Sequence, residues 1–196
     1  MSKIKWKGGA LLSPVPAVLV SCGNGEEANL ITVAWTGIVC TQPPRLYISV
    51  RPERYSYGII EESGEFCVNL PTASIVKALD FCGVRSGKDC DKFKETKLTK
   101  AESFDVGCVS VAECPLTLEC KVCQKIELGS HDMFIADIVA VSADERLIDE
   151  KGRLMLEKAD LLAYAHGDYF ALGRKIGDFG FSVRKKKTVA RKKSRR

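Results

Sequence analysis

Apolar and polar positions alternate over short runs of the chain, and this period of two predicts β-strands. The clearest case is residues 116–122, LTLECKV, a pattern typical of a half-buried antiparallel strand. Other runs are rich in β-branched and aromatic residues and are bounded by Gly, Pro or Asn. The predicted strands cover residues 17–22, 29–35, 45–50, 65–70, 108–112, 116–128 and 133–142.

Two helices are predicted between these strands. The first begins near Pro52, a residue type that suits a first helical turn, and runs to Glu62, before a stop at Gly64. The second covers residues 73–80 and has Thr72 as its N-cap. Strands outnumber helices and do not alternate with long helices. The pattern therefore favours a mainly β, antiparallel barrel with helical inserts over a doubly wound parallel sheet.

Composition is that of a soluble globular chain, with 196 residues, of which 45% are hydrophobic and 28% charged. No run reaches the roughly 20 uncharged apolar residues of a membrane span, so no membrane association is expected. Residues 1–12 contain three lysines and two glycines and do not resemble a signal peptide. We therefore expect a cytoplasmic protein.

Positive charge is concentrated at the C-terminus. Residues 184–196 hold nine Lys and Arg and no acidic residue, whereas residues 1–183 hold 21 basic and 25 acidic residues, a net charge of −4. We predict one domain over 1–183 and a disordered basic tail over 184–196. Nucleic-acid binding through the tail is one alternative function, but the tail has no aromatic residue to stack on bases. A contact with an acidic, ferredoxin-like protein is also open.

The nine cysteines are interpreted as reduced thiols, and most of them as small core side chains. The one CxxC motif joins Cys120 and Cys123 within a predicted strand, so the two side chains should point to opposite faces. A zinc or thioredoxin-type motif needs a turn or a helix start there. With only two histidines in the chain, we predict no metal site.

Several polar residues beside the strands are candidates for ligand binding. Arg51, Arg54 and Ser56 cluster at the first turn of the predicted helix, where amides, guanidinium groups and a hydroxyl suit a phosphate. A solvated surface patch explains the same pattern. Ser86, Lys88 and Lys92 form a second loop of hydroxyl and lysine groups. His131 lies in the predicted hairpin between the two longest strands, where an exposed histidine without a role is the alternative.

Nine short segments, taken in order, carry a family resemblance. They are 29–37 (NLITVAWTG), 43–44 (PP), 48–56 (ISVRPERYS), 63–70 (SGEFCVNL), 83–87 (GVRSG), 91–93 (DKF), 114–120 (CPLTLEC), 129–131 (GSH) and 169–173 (YFALG). The chain resembles the flavin reductase-like family over residues 10–185, and most of all its flavoredoxin branch. One departure is the Gly-Ser-His at 129–131, where many relatives have Gly-Asp-His.

The resemblance implies an FMN-binding split β-barrel of antiparallel Greek-key type and a homodimer with FMN near the subunit interface. It also implies a set of cofactor-binding residues: Asn29, Ala34, Trp35, Thr36, Ser49, Val50, Arg51, Tyr55, Ser56, Ser86, Gly87, Lys92, His131 and Tyr164. Lys92 and His131 are also the catalytic candidates, since positive charge near the flavin stabilises its reduced form. For each single residue, a core or surface role remains the alternative.

The function implied is that of an FMN-dependent oxidoreductase. Electrons would come from NAD(P)H or a small redox protein and pass through FMN to free flavin, ferric iron or a protein acceptor. The alternative within the same fold is a non-catalytic FMN carrier. The residues do not distinguish these two functions, because the family needs no separate NAD(P)H fingerprint.

Overall fold

Seven strands form one antiparallel sheet in the computed structural model, which describes residues 1–184. They are β1 (Val18–Cys22), β2 (Asn29–Val33), β3 (Thr36–Thr41), β4 (Pro44–Val50), β5 (Glu65–Leu70), β8 (Leu116–Glu127) and β9 (Asp132–Ala143). Two small hairpins flank the sheet. They are β6 (Lys100–Ala101) with β7 (Ser110–Val111), and β10 (Leu162–Ala165) with β11 (Asp168–Ala171).

Three helices pack around the sheet. They are α1 (Tyr55–Ser63), α2 (Val76–Val84) and α3 (Lys92–Thr96). Short 3-10 turns cover Ala73–Ile75, Glu145–Leu147, Leu156–Lys158 and Phe181–Val183.

The strand order of the large sheet is β2-β1-β5-β8-β9-β4-β3. Strands β1 and β5, and strands β4 and β9, pair although they are not consecutive in the chain. Such long-range antiparallel pairing is the connectivity of Greek-key sheets. The prediction of a mainly β, antiparallel fold with helical inserts is confirmed.

The sheet is apolar on both faces because successive side chains of a strand point in opposite directions. In β1, Val18 and Val20 enter the core enclosed by the curled sheet, together with Phe66 and Phe134. Leu19 points the other way, into a second core beneath α2 and α3. Burial on both faces explains why β1 begins with a continuous apolar run, Val18 to Val20, and does not alternate there.

Most predicted strands are confirmed to within two residues at each end. The predicted strand over 65–70 has the observed bounds, Glu65–Leu70. The prediction over 108–112 was too long, since only Ser110–Val111 pair there. Strand β3 was missed, because the predicted second strand extended to residue 35, whereas β2 ends at Val33 and β3 begins at Thr36 on the opposite edge of the sheet.

Both helix predictions needed correction. Helix α1 begins at Tyr55 and not near Pro52, because the amide of Arg54 bonds to the carbonyl of Arg51 and closes a turn first. Its end is confirmed, since Gly64 is the left-handed C-cap with φ 67°. The second helix starts as a 3-10 turn and α2 continues to Val84. Thr72 provides no side-chain cap, because its hydroxyl pairs with Ser74.

All nine cysteines are free thiols, and six of them are buried. The CxxC pair divides as predicted, with Cys120 buried and Cys123 exposed. None of the helices within residues 1–184 has the length and apolar character that a membrane span requires. The predicted basic tail lies outside the described residues, apart from Arg184.

Candidate functional site

A cleft of about 400 Å³ opens where β2, β4, α2 and the β10–β11 hairpin meet, a size usual for small-molecule sites. Ala34 and Trp35 line it from the turn that follows β2. The segment 49–51 at the end of β4 forms a second wall. The cleft is therefore built largely at the ends of β2 and β4.

Aromatic side chains form one part of the apolar lining of this cleft, beside aliphatic ones such as Ile31 and Val33. Trp35 is 37% exposed, and its carbonyl accepts a 2.9 Å hydrogen bond from the amide of Ser49, which joins two walls. Tyr164 and Tyr169 lie opposite each other on the β10–β11 hairpin, with ring centroids 5.4 Å apart. A planar ring entering the cleft would meet these faces.

Hydrogen bonds attach the β10–β11 hairpin to the rest of the molecule at two places, and Leu162 packs into the second core. The backbone of Tyr164 exchanges hydrogen bonds of 2.8 and 2.9 Å with Val15. The hydroxyl of Tyr169 donates to a carboxylate oxygen of Asp80 on α2, at 3.3 Å. Burial and the nearby Asp80 carboxylate raise the pKa of Tyr169 to about 12. Tyr169 is therefore a neutral hydrogen-bond donor at physiological pH.

The polar rim of the cleft is formed by His131, Arg51 and Arg54. His131 lies in the hairpin between β8 and β9, as predicted, and its Nδ1 atom is 3.0 Å from the hydroxyl of Ser130. Burial, reinforced by Arg51 and Arg54 and opposed by Glu53, lowers the pKa of His131 from its usual value. This environment therefore favours the neutral imidazole.

A second, smaller pocket of about 140 Å³ adjoins the cleft. The two share Ile31, Arg54 and Gly83. The remaining lining of the small pocket is mostly polar, with Arg85 and Lys92 positive and Glu53 negative: Asn29, Glu53, Tyr55, Ser56, Cys82, Arg85, Ser86, Gly87 and Lys92.

The N-terminus of α1 contributes to the small pocket. Ser56 is 1% exposed, and its hydroxyl accepts a 2.7 Å hydrogen bond from the side-chain amide of Asn29. Arg54 is the N-cap residue and makes no side-chain cap. The first amides of α1 and the Arg54 guanidinium thus lie together, an arrangement that suits an anion.

Lys92 is 4% exposed, and its ammonium is bonded inside the fold. Nζ donates to the carbonyl oxygens of Leu30 at 2.7 Å and Cys82 at 2.8 Å. Burial lowers the pKa of Lys92. The side chain therefore borders the small pocket while it joins α3 to β2 and α2.

Gly87 is required by close packing in the same pocket. A Cβ atom at this position would overlap the side-chain oxygen of Asn29 and the ring of Tyr55. The loop 86–89 thus lies directly against two lining residues, and a larger side chain would displace them.

The sequence-predicted residues divide between the two pockets. Seven line the cleft: Ala34, Trp35, Ser49, Val50, Arg51, His131 and Tyr164. Six line the small pocket: Asn29, Tyr55, Ser56, Ser86, Gly87 and Lys92. Thr36 lines neither, and its hydroxyl donates to the carbonyl of Tyr47 at 2.6 Å. Their individual contacts with a cofactor stay predictions.

Sequence reasoning missed Asp80, Gly83, Arg85 and Tyr169. Gly83 and Arg85 lie in the segment GVRSG, which was noticed but used only for Ser86 and Gly87. Asp80 carried no pattern of its own, because its role depends on Tyr169, 89 residues away. Within the described residues, no three His, Cys, Asp or Glu side chains form a group suited to a metal ion.

Comparisons with known proteins agree with this geometry. A family model described as "Flavin reductase like domain" matches residues 11–173. An uncharacterized protein of Archaeoglobus fulgidus is 32% identical over 140 residues, which are 71% of this chain and 78% of that protein.

Two solved structures are similar over nearly the whole chain. Flavoredoxin of Desulfovibrio vulgaris (Miyazaki F) has a TM-score of 0.86 at 30% identity, covering 93% of this chain and 100% of that one. Flavoredoxin from Methanosarcina acetivorans has a TM-score of 0.83 at 28% identity, covering 94% and 100%. The predicted fold, a split barrel, is confirmed.

Proposed function

The chain belongs to the flavin reductase-like family, and from this we propose that it binds FMN and uses it as an oxidoreductase. Membership in the family establishes a flavin-related redox function. The identity of the flavin, the electron donor and the acceptor are the parts that we propose.

The observation that carries the proposal is the pair of adjoining pockets. An aromatic-walled cleft meets a small cationic pocket, and Arg54 borders both. FMN has the same division, since a planar ring system and a phosphate are separated by a ribityl chain. Free riboflavin would leave the cationic pocket without a partner.

The residues of the small pocket fit a phosphate group. Arg54, Arg85 and Lys92 provide positive charge, while Ser56 and Ser86 provide hydroxyl groups. Guanidinium groups and helix N-terminal amides are the usual partners of a phosphate dianion. The backbone can approach closely at Gly87, where no Cβ intervenes.

The residues of the cleft fit a planar ring. Trp35 and Tyr164 offer faces for stacking, and the segment 49–51 at the end of β4 lines another wall. The His131 imidazole offers hydrogen-bonding nitrogens at the rim, and Arg51 brings positive charge nearby.

Bound FMN would supply the redox chemistry, accepting a hydride or electrons and passing them on. The chain's own residues would bind the phosphate, orient the ring and hold positive charge beside it. This division of roles explains why the family needs no nucleophile or acid–base pair of its own.

We further propose NAD(P)H or a small redox protein as the electron donor, and free flavin, ferric iron or a protein as the acceptor. A homodimer is part of the proposal. Apolar side chains near both chain ends support it, since Trp6, Leu12, Ile176 and Phe179 are 68% to 107% exposed. A second copy of the chain would cover such residues. We also propose a cytoplasmic location.

The test is a titration of the flavin-free protein with FMN, followed by anaerobic mixing with NADH or NADPH. Saturable FMN binding with bleaching of the flavin absorbance on mixing supports the oxidoreductase. FMN binding without bleaching by either nucleotide would favour the carrier. A protein that does not bind FMN would overturn the proposal.

A further inference from the structure

We propose that the hydrogen bond between Tyr57 and Asp132 fixes the spacing between the two ends of the flavin site. This inference rests on the proposed function, because it concerns a ligand that occupies both pockets at once. Both residues act through their neighbours and are therefore positioning residues.

The contact is short and buried. The hydroxyl of Tyr57 donates to a carboxylate oxygen of Asp132 at 2.6 Å, and the two residues are 8% and 6% exposed. Hydrogen bonds to a carboxylate are stronger than neutral ones, and more so away from water. The bond raises the pKa of Tyr57, so the hydroxyl keeps its proton.

The residues around the contact hold Tyr57 to the β8–β9 hairpin. Lys125 of β8 places its Nζ atom 3.3 Å from the Tyr57 hydroxyl and 2.6 Å from a carboxylate oxygen of Glu61. The Tyr57 ring packs edge-on against Phe134, with centroids 5.3 Å apart. Tyr57 is therefore the buried part of the contact that docks helix α1 on the hairpin, and the Glu61–Lys125 ion pair is its exposed part.

The position of the two residues in the chain links this contact to the site. Tyr57 follows Tyr55 and Ser56, which line the small pocket from the start of α1. Asp132 follows His131, which lines the rim of the cleft. Tyr57 is thus the chain neighbour of a residue in the small pocket, and Asp132 is the chain neighbour of a residue in the cleft. The hydrogen bond joins the wall that faces the phosphate to the wall that faces the ring.

A rigid spacing matters only for a ligand that engages both walls. FMN has a ring and a phosphate, so its affinity is higher when the two pockets are held at a fixed spacing. Riboflavin has the ring and no phosphate, so it engages only one of the two walls. Loss of the contact should therefore weaken FMN binding more than riboflavin binding. A general loss of stability would weaken both alike.

The experiment measures dissociation constants of FMN and riboflavin for the full chain and three variants. Asp132→Ala removes the acceptor, and Tyr57→Phe removes only the donor hydroxyl and keeps the ring on Phe134. Asp132→Asn keeps an oxygen that accepts the same hydrogen bond. We expect the preference for FMN over riboflavin to fall about tenfold in the first two variants, and to stay within about twofold of the wild type in Asp132→Asn.

A matched control is Glu61→Gln, which changes the same network at its exposed end. Its preference for FMN should stay within about twofold of the wild type. If Asp132→Ala does not fold, Tyr57→Phe decides the question, with thermal melts recorded for each variant.

An unchanged preference in Tyr57→Phe, or an equal loss for both flavins, would overturn the inference while leaving the proposed function intact. Failure of the wild-type chain to bind either flavin would instead overturn the proposed function, and the inference with it.

Discussion

The Nζ atom of Lys92 lies 2.7 Å from the carbonyl oxygen of Leu30, so a buried charge on α3 is bonded to the backbone of β2. A second bond, to the carbonyl of Cys82 at 2.8 Å, adds α2 to the same junction. One ammonium group thus connects three of the elements that line the small pocket. Its contribution to the fold and its contribution to FMN binding can be separated by experiment.

We expect Lys92→Met to lower the free energy of unfolding by about 2–4 kcal/mol, because two buried carbonyls lose a charged donor. Urea denaturation at pH 7 measures the change. Lys94→Met, at an exposed position of the same helix, is the control and should change stability by less than about 0.5 kcal/mol. If Lys92→Met kept the stability of the wild type but lost FMN binding, the ammonium would contribute to cofactor binding and not to the fold.

We expect His131 to titrate below the ordinary histidine pKa of about 6.5, because burial and two arginines disfavour its charged form. NMR of the two histidine rings measures this, with His166→Gln to assign them. Arg51→Gln should raise the pKa of His131, since it removes a neighbouring positive charge, and Glu53→Gln should lower it. A titration midpoint above 6.5 in the wild-type chain would contradict the burial of this ring.

The lowered pKa of His131 also determines how the free energy of unfolding changes with pH. The pKa of His131 is lower in the folded chain than in the unfolded chain, so protons bind more readily to the unfolded chain. As the pH falls below the pKa of this histidine in the unfolded chain, acidification therefore lowers the free energy of unfolding. Removing the ring in His131→Gln should make unfolding less sensitive to pH in that window.

We expect Gly87→Ala to destabilise the chain by about 1–3 kcal/mol and to weaken FMN binding, because its Cβ would overlap Asn29 and Tyr55. Urea denaturation with and without FMN measures both effects. Gly58→Ala is the matched control, since nothing lies within 4 Å of its Cβ position in α1. There the substitution should stabilise the helix by up to about 1 kcal/mol. An equal change in the free energy of unfolding in Gly87→Ala and Gly58→Ala would contradict the close packing at Gly87.

We expect Arg54→Gln to weaken FMN binding about tenfold and riboflavin binding by less than about twofold, since Arg54 borders the proposed phosphate pocket. Arg51→Gln is the comparison, because Arg51 lines the cleft and not the small pocket. Fluorescence quenching of each flavin on binding gives the four constants. Losses of equal size for FMN and riboflavin in Arg54→Gln would place the phosphate elsewhere.

The strands were predictable because their pattern is local. Alternation and β-branched residues mark β8 and β9, and Gly64 marks the end of α1 through its positive φ. Helix α3 has five residues, too few to show a helical period. The β10–β11 hairpin was also missed, although its turn at His166 and Gly167 has two positive φ angles, a feature that favours glycine.

The site was predictable as a set of residues but not as a geometry. The ordered segments of the family resemblance selected thirteen residues, each of which lines one or the other of the two pockets. They did not show that Lys92 is bonded to two carbonyls, because those partners lie 62 and 10 residues away in the chain. Nor did they reveal the hydrogen bond between Tyr57 and Asp132, which lie 75 residues apart in the chain. Distant contacts of this kind leave no local pattern.

The cleft draws its walls from residues as far apart as Ala17 and Tyr169, so no short stretch of the chain carries it. A ligand held there binds the folded chain alone, and at 100 times its dissociation constant it adds about 2.7 kcal/mol of stability. Proteases in a cell act on the unfolded fraction, which that amount reduces about a hundredfold. The abundance of this protein would then follow the supply of flavin. Scarcity of the cofactor would leave the chain inactive and would also shorten its lifetime.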